Sequence, residues 1–390
     1  MRFETMKKVA IISCGQSAFG SFVEKTYEDL LADAYLEALT HVENFETKDI
    51  EEAFVGSLAF GGSQLGNMSA LLGDAIKVVG IPAARVENAC GSSSFAFRYA
   101  CYSIMAGQNK IALAGGVEKM QDISKRNRLW WFGVAGDIKW ERLSGMTFPG
   151  NYALMATRHM HEFGTAKEDI SRCAVKNHRY AAKNPKAQFR NEITLDQAMK
   201  GEMVAWPLTV FDCCPITDGA AVTILCDAEI AKQYTDTPVT VIGMGAGTDY
   251  LALYRRASIT RIEAAIKASR AAYRMAGIEP TDVQVAEVHD CFTIAEIMAY
   301  EDCGFCEKGE GGLFSHEGQS EVGGKIPVNT GGGLKAKGHP IGATGVSQIY
   351  EIWKQLTERH QNQVDGATIG LTHNVGGTGS AAAVHILKRE

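Results

Sequence analysis

The chain has 390 residues, enough to bury a large core and more than one small domain needs. Hydrophobic residues make up 46% and charged residues 22%, the profile of an ordinary globular chain. Its 39 Lys+Arg against 45 Asp+Glu leave a net charge of −6, so neither nucleic acid nor a membrane surface is expected as a partner.

Short Val/Ile/Ala-rich runs alternate with longer helical patterns, which predicts an α/β chain with helices covering a sheet. The first strand and its glycine turn are VAIISCGQSAFG (9–20). No apolar run reaches the roughly 18 residues of a membrane span, and the run at 9–13 is too short for a signal-peptide core. A cytoplasmic location is therefore expected. A helix over 27–41 follows, then a strand in IEEAFVGSLAFGG (50–62) and a helix from Ser69. The turn VENACGSSS (86–94) feeds a helix to Met105, and KIALAGGVE (110–118) reads as a strand.

The same order then recurs. VTVIGMGAGTDY (239–250) is a strand, 259–276 a helix, VQVAEVHDCF (283–292) a strand, and a helix starts at Ile294. The turn GHPIGATG (338–345) feeds a helix to Leu356, and GATIGLTHNVGG (366–377) is a strand. Each half ends on a similar strand, DGAAVTILCD (218–227) and GSAAAVHILK (379–388). The order predicts two duplicated core halves: residues 1–120 with a return over 211–237, and residues 238–390. Between them, 121–210 breaks the pattern and holds Trp130, Trp131, Phe132, Trp140 and Trp206. It is expected to be an inserted region covering the site.

Four strand ends carry reactive side chains. Cys90 precedes Gly91 and three serines at a strand-to-helix turn, where unpaired N–H groups and the helix dipole favour a thiolate; a small buried residue in a tight turn is the alternative. His339 occupies the corresponding turn of the second half, which would bring an imidazole to the thiol, as an activated nucleophile requires. His289, Asp290 and Cys291 end the strand at 283–292, and His289 and Cys291 share a face if the strand extends that far. His373 and Asn374 end the strand at 366–377, and Gly376, Gly377 and Gly379 offer N–H groups for an oxyanion. Neither NTGGG (329–333) nor GMGAG (243–247) completes a phosphate-loop or dinucleotide fingerprint. The ten cysteines are scattered, so reduced thiols are expected. The pair Cys303 and Cys306 supplies two of the roughly four ligands a structural zinc needs, and no metal or bound cofactor is expected.

Over essentially its whole length the chain resembles the thiolase superfamily, on Cys90 in NACGSSS, His339 in GHPIGATG and the last glycine turn. His289-Asp290-Cys291-Phe292 and His373-Asn374-Val375 depart from the commoner Asn-Glu-Ala-Phe and Cys-x-Gly, and resemble the sterol-carrier-protein-type thiolases and their archaeal and bacterial relatives, acetoacetyl-CoA thiolases among them. The resemblance implies a layered α/β/α/β/α fold and coenzyme A thioesters as substrates. It implies that His339 takes the proton of Cys90, which becomes acylated, and that Cys291 acts as acid and base on the α-carbon. His339 and His289, the latter by way of a water, would stabilise the enolate, and the N–H groups of Cys90 and about Gly376 the tetrahedral oxyanion. It also implies a homodimer or dimer of dimers and, in some of the branch, a small zinc-bearing OB-fold subunit that helps hold coenzyme A. Phe148, Tyr152, Phe292 and His373 are the candidates for substrate contact. Trp130, Trp131 and Phe132 are expected to pack the insert, with an aromatic acyl pocket, as for benzoylsuccinyl-CoA, as the alternative. The basic run Lys125, Arg126, Asn127, Arg128 is expected as a solvated face, with contact to coenzyme A phosphates as the alternative. A ketosynthase, a 3-hydroxy-3-methylglutaryl-CoA synthase and a non-catalytic acyl-CoA-binding scaffold share the fold, but none of them needs Cys291.

Overall fold

The computed structural model describes residues 6–60 and 66–389. Its first part runs β1 (Val9–Gln16), α1 (Tyr27–Leu39), β2 (Glu52–Gly56), α2 (Met68–Ile76), β3 (Ala83–Val86), α3 (Ser92–Met105) and β4 (Ile111–Glu118). Then come α4 (Lys125–Val134), α5 (Phe148–Phe163), α6 (Lys167–Ala182), α7 (Leu195–Met199) and the hairpin of β5 (Met203–Ala205) and β6 (Leu208–Thr209), before β7 (Gly219–Asp227). The remainder is β8 (Val239–Thr248), α8 (Glu263–Ala276), β9 (Val285–Glu287), α9 (Thr293–Asp302), α10 (Gly311–His316), α11 (Thr344–Leu356), β10 (Ile369–Gly376) and β11 (Ala381–Arg389).

One sheet joins the long strands in the order β3-β2-β4-β7-β1-β8-β11-β10-β9. Read outward from the central β1–β8 pair, its two wings repeat. On one side β1–β7 and β7–β4 are antiparallel while β4–β2 and β2–β3 are parallel. On the other, β8–β11 and β11–β10 are antiparallel and β10–β9 is parallel. The counterpart of β3 is reduced to one parallel bridge, Ala286 to Val328. The duplication expected from the order of elements is thus present in the strand pairing. β1, β4 and β7 are buried along their whole length, which is why they read as unbroken apolar runs rather than alternating ones.

Three cores make the layers. Leu30, Leu31 and Ala34 of α1 pack on Ile12, Val222 and Ile224 at one outer face. Phe97 and Ile104 of α3 meet Val346, Ile349 and Trp353 of α11 between the wings. Ala264, Ala268 and Ala272 of α8 join Ile294, Ile297 and Ile386 at the other outer face. The two middle helices touch backbone to side chain: a Cβ on Gly345 would stand 2.2 Å from Ser94 Oγ. That contact seats the N-terminal turns of α3 and α11 side by side.

α8 and β9 are shorter than the sequence suggests. α8 starts at Glu263 rather than 259, because the Ile262 N–H donates to the Asp302 carboxylate at 2.9 Å and holds the approach off the helix axis. β9 stops at Glu287. Beyond it the Val288 N–H donates to Asn329 Oδ1 at 2.8 Å and the His289 N–H to His373 Nδ1 at 3.4 Å, so the ladder ends. His289 and Cys291 therefore lie in a turn, and strand alternation does not decide where they face.

Candidate active site

Cys90 stands between β3 and α3, half-buried, on a turn with its own internal bonding. The Gly91 N–H donates to Asn88 O at 2.9 Å, Ser92 Oγ donates to Ala89 O at 2.6 Å, and the Ala89 N–H donates to Glu87 Oε1 at 2.6 Å. Ala89 takes φ 49°, a left-handed conformation that a residue with a Cβ adopts only when its surroundings impose it. The last glycine turn closes on it, since a Cβ on Gly376 would stand 2.4 Å from Asn88 O.

Across this turn lies the start of α11. His339 Nδ1 is 2.7 Å from Thr344 Oγ1, and that hydroxyl donates its own proton to Pro340 O at 3.0 Å. The hydroxyl is thereby left to accept, so Nδ1 carries the imidazole proton and Nε2 keeps a lone pair. His289 is the reverse case. Asn374 Nδ2, a donor, sits 3.0 Å from His289 Nδ1, which puts the ring proton on Nε2, a buried atom without a protein partner. The two rings meet at 5.1 Å between centroids. The Cys90 sulfur and one nitrogen of each imidazole all lie within 4.8 Å of one another. Among the described residues this is the group with metal-ligand spacing, one donor short of the four of a closed zinc site.

Burial governs the charges. It pushes the Cys90 thiol up to about 12, against the pull of the Gly377 N–H on the sulfur, and pushes His339 down to about 3. His289 lies well below the usual imidazole range through burial first, then through His339 and His373. At neutral pH the resting pair is a thiol beside a neutral imidazole, and the proton moves only when the attack itself makes it favourable.

Cys291 is buried, and its thiol is held well above the usual range by burial and by the nearby Cys214. Tyr152 partly offsets that rise, donates its hydroxyl to Gly377 O at 3.2 Å, and stacks on Phe292 at 4.6 Å. The turn is pinned from the opposite side, where the Cys214 N–H donates to Cys291 O at 3.0 Å. Asp290 points away and accepts the Leu334 and Lys335 N–H groups at 2.6 and 3.1 Å.

Cys90, Cys291 and His339 open on one cavity of about 360 Å³, walled chiefly by apolar side chains including Met120, Phe132, Met146, Phe148, Phe292 and Ile341. Phe148 and Phe292 reach it as the sequence suggests; Tyr152 and His373 stand behind the wall. Gly377, not Gly376, borders it, because Gly376 is still paired with Ala381 in the sheet. Of the insert's aromatic run, Phe132 lines the cavity, Trp131 packs behind it with Phe60, and Trp130 is 50% exposed. In the basic run, Arg128 is spent on Gln121 Oε1 and Ile123 O. Cys303 is buried, with Ser269 Oγ donating to its sulfur at 3.7 Å, and Cys306 is half-buried.

Sequence reasoning missed Glu118. This buried carboxylate accepts the N–H groups of Leu58 at 2.9 Å, Phe60 at 3.0 Å and Gly342 at 3.0 Å. It ties the end of β4 to the His339 turn, and burial pushes it up to about 7. An acidic residue closing an apolar strand was its one sequence signal.

Two family models cover most of the chain. The model of the thiolase N-terminal domain matches residues 9–229, and that of the thiolase C-terminal domain-like family matches 245–389. An acetyl-CoA acetyltransferase of Methanothermobacter thermautotrophicus is 44% identical over 98% of this chain and 100% of its own. Human sterol carrier protein 2 is 31% identical over 98% of this chain and 72% of its own. Among solved structures, the Ltp2-ChsH2(DUF35) aldolase shares the fold with a TM-score of 0.85 at 24% identity, over 98% of this chain and 97% of that one. With both thiolase domains matched and a relative 44% identical over 98% of this chain, the chain belongs to the thiolase family of acyltransferases, which form or cleave a carbon–carbon bond beside a coenzyme A thioester.

Proposed function

We propose that the chain is an acetyl-CoA acetyltransferase in which Cys90 carries the acyl group, His339 and Cys291 move protons, and His289 holds the enolate oxygen. The observation that carries this reading is the convergence of the Cys90 sulfur with nitrogens of His339 and His289 within 4.8 Å, beside a cavity that Cys291 also lines.

The Cys90 proton passes to His339 Nε2 as the sulfur attacks the thioester carbonyl. The Gly377 N–H, which draws the Cys90 thiol down in part, and that of Cys90 receive the oxyanion. Collapse breaks the bond from carbon to the coenzyme A sulfur, and His339 returns the proton to the leaving thiolate. A second acetyl-CoA then loses an α-proton to the Cys291 sulfur as the Cys291 thiol passes its own proton to His339 Nε2, and the enolate oxygen takes the hydrogen bond of His289 Nε2–H. The enolate carbon attacks the acyl carbonyl, the Cys90 sulfur leaves, and His339 gives up its proton to restore the Cys90 thiol. A thioester suits this chemistry because sulfur lends its carbonyl little resonance, leaving the α-proton acidic enough for a thiol base.

The relative at 44% identity supports acetyl as the acyl group. An aromatic acyl group has less support, since Trp130 faces solvent and Trp131 packs behind the wall. The test is turnover of acetyl-CoA to acetoacetyl-CoA and its reversal, with mass spectrometry of the acylated peptide. An acyl group on any residue but Cys90 overturns the assignment.

A homodimer is supported by β3, the edge strand of the sheet, whose Ala83 and Ala84 are exposed. An edge of this kind is stabilised by pairing with a second copy, and sedimentation as a monomer argues against it. The likeness to an aldolase named for a DUF35 component supports a small zinc-bearing OB-fold partner that helps hold coenzyme A. Tight coenzyme A binding and full turnover by the chain alone remove the need for it. The free state of all ten cysteines supports a reducing compartment such as the cytoplasm.

A further inference from the structure

A π-helical turn, Ile138–Arg142, ends in a cation that has no ion-pair partner among the described residues. Arg142 lines the catalytic cavity beside Gly133 and Met146. Its side chain crosses α4 where residue 133 is glycine: a Cβ there would stand 1.9 Å from Arg142 Nε and 2.0 Å from Cδ. Glycine inside a helix costs about 1 kcal/mol relative to alanine, and α4 carries that cost where the arginine passes. The guanidinium carbon lies 5.3 Å from the centre of the Trp130 ring, so the cation is bedded on an aromatic face.

No described residue forms an ion pair with it. Nε is buried without an acceptor, and among the described residues no carboxylate comes within the 4.0 Å of an ion pair. The acids nearest in sequence are not paired with it, although Glu141 keeps its Oε2 without a hydrogen-bond partner. Asp137 accepts the Trp140 and Glu141 N–H groups at 2.7 and 3.3 Å, and Glu141 accepts the Leu253 N–H at 2.5 Å. A guanidinium in an apolar wall is ordinarily paired, because desolvating it alone is costly. Its planar fork matches two oxygens of a phosphate or carboxylate.

We propose that Arg142 is a substrate-binding residue that anchors an anionic oxygen group of the incoming thioester. The proposal rests on the thiolase reading of the Cys90 cavity. Two parts of such a substrate carry that chemistry: the phosphates of coenzyme A, and a carboxylate on the acyl portion. Gly133 and Trp130 hold the guanidinium in place before the substrate arrives, so little of its freedom is lost on binding.

The experiment compares wild type, R142A and R142K on three 3-oxoacyl thioesters: acetoacetyl-CoA, acetoacetyl-N-acetylcysteamine without phosphates, and a 3-oxoacyl-CoA ending in a carboxylate. A charge-assisted hydrogen bond sets the expected loss at about tenfold to hundredfold. If the anchor holds phosphate, kcat/KM of R142A falls by that factor for both coenzyme A esters relative to the N-acetylcysteamine ester. If it holds carboxylate, the relative loss is confined to the ester ending in a carboxylate. R142K keeps the charge but loses the fork, and lies between. An equal loss on all three thioesters, or none, in protein with the wild-type Tm overturns the proposal. If R142A does not fold, R142K is read in the same way. A wild type inactive on every thioester refutes the thiolase reading instead, and calorimetry with coenzyme A then tests Arg142 by itself.

Discussion

His289 and His339 meet edge to face, their centroids 5.1 Å apart and their planes at 83°, yet their hydrogen bonds give them opposite roles. Thr344 receives the Nδ1 proton of His339 and leaves Nε2 a base. Asn374 donates to Nδ1 of His289 and leaves Nε2 a donor. Two neutral imidazoles side by side therefore offer one acceptor and one donor to the same small volume, which suits a reaction that moves a proton in one step and stabilises an oxyanion in the next.

Asn374→Ala tests that division. It removes the group that sets the His289 tautomer, so condensation should fall while Cys90 is still acylated from a donor thioester. Loss of an oxyanion donor costs about 10²–10³ in rate, and His289→Ala marks that full loss. Rapid-quench acylation and steady-state condensation, measured on the same variant, separate the steps. Equal damage to both would assign Asn374 a merely structural role.

The thiol and imidazole should rest uncharged. With Cys90 pushed up to about 12 and His339 down to about 3, the thiolate fraction grows about tenfold per pH unit above neutrality. Alkylation of Cys90 by iodoacetamide should follow that slope from pH 7 to 9, with the labelled peptide identified by mass spectrometry. A preformed thiolate–imidazolium pair would show instead as a rate plateau across pH 6–8.

Cys291→Ala should accept an acyl group on Cys90 yet fail to exchange the α-protons of acetyl-CoA into deuterated water. General-base contributions of about 10²–10⁴ set the expected loss in condensation. Wild-type exchange in this variant would move the base elsewhere, to His289 or His373.

Glu118 links stability to pH. Burial raises its folded value to about 7, above the ordinary carboxyl value near 4.3, so the folded state binds that proton more tightly than the unfolded chain. Its protonation contributes stability that is full below the ordinary value and is lost as pH rises to about 7. The Tm should therefore fall across pH 5–7, and Glu118→Gln, which cannot ionise, should flatten that slope. Glu118→Ala leaves the Leu58, Phe60 and Gly342 N–H groups without their acceptor and should cost about 2–4 kcal/mol in denaturant unfolding. An unchanged slope in Glu118→Gln assigns the pH dependence to other buried carboxyls.

Much of this molecule was readable along the chain. The repeated order of strand, helix and glycine turn anticipated the two wings, because hydrophobic period and turn chemistry are local properties that any ten-residue window carries. Cys90 and His339 were recognisable because each sits in a glycine-bearing turn that opens a helix. The end of β9 was not readable, since Val288 leaves the ladder for Asn329, 41 residues further on. Nor were the tautomers, as His289 takes its proton position from Asn374, 85 residues away. Glu118 closes an apolar strand like many an ordinary acid, and only its bond to the Gly342 N–H, across 224 residues, makes it a brace of the His339 turn. The walls formed by Met120, Met146 and Ile341 are ordinary hydrophobes until three separate segments fold against one space. Local patterns dictate which elements form, but which polar atoms satisfy one another in a water-poor interior depends on partners that approach only when the wings and the segment between β4 and β7 pack together.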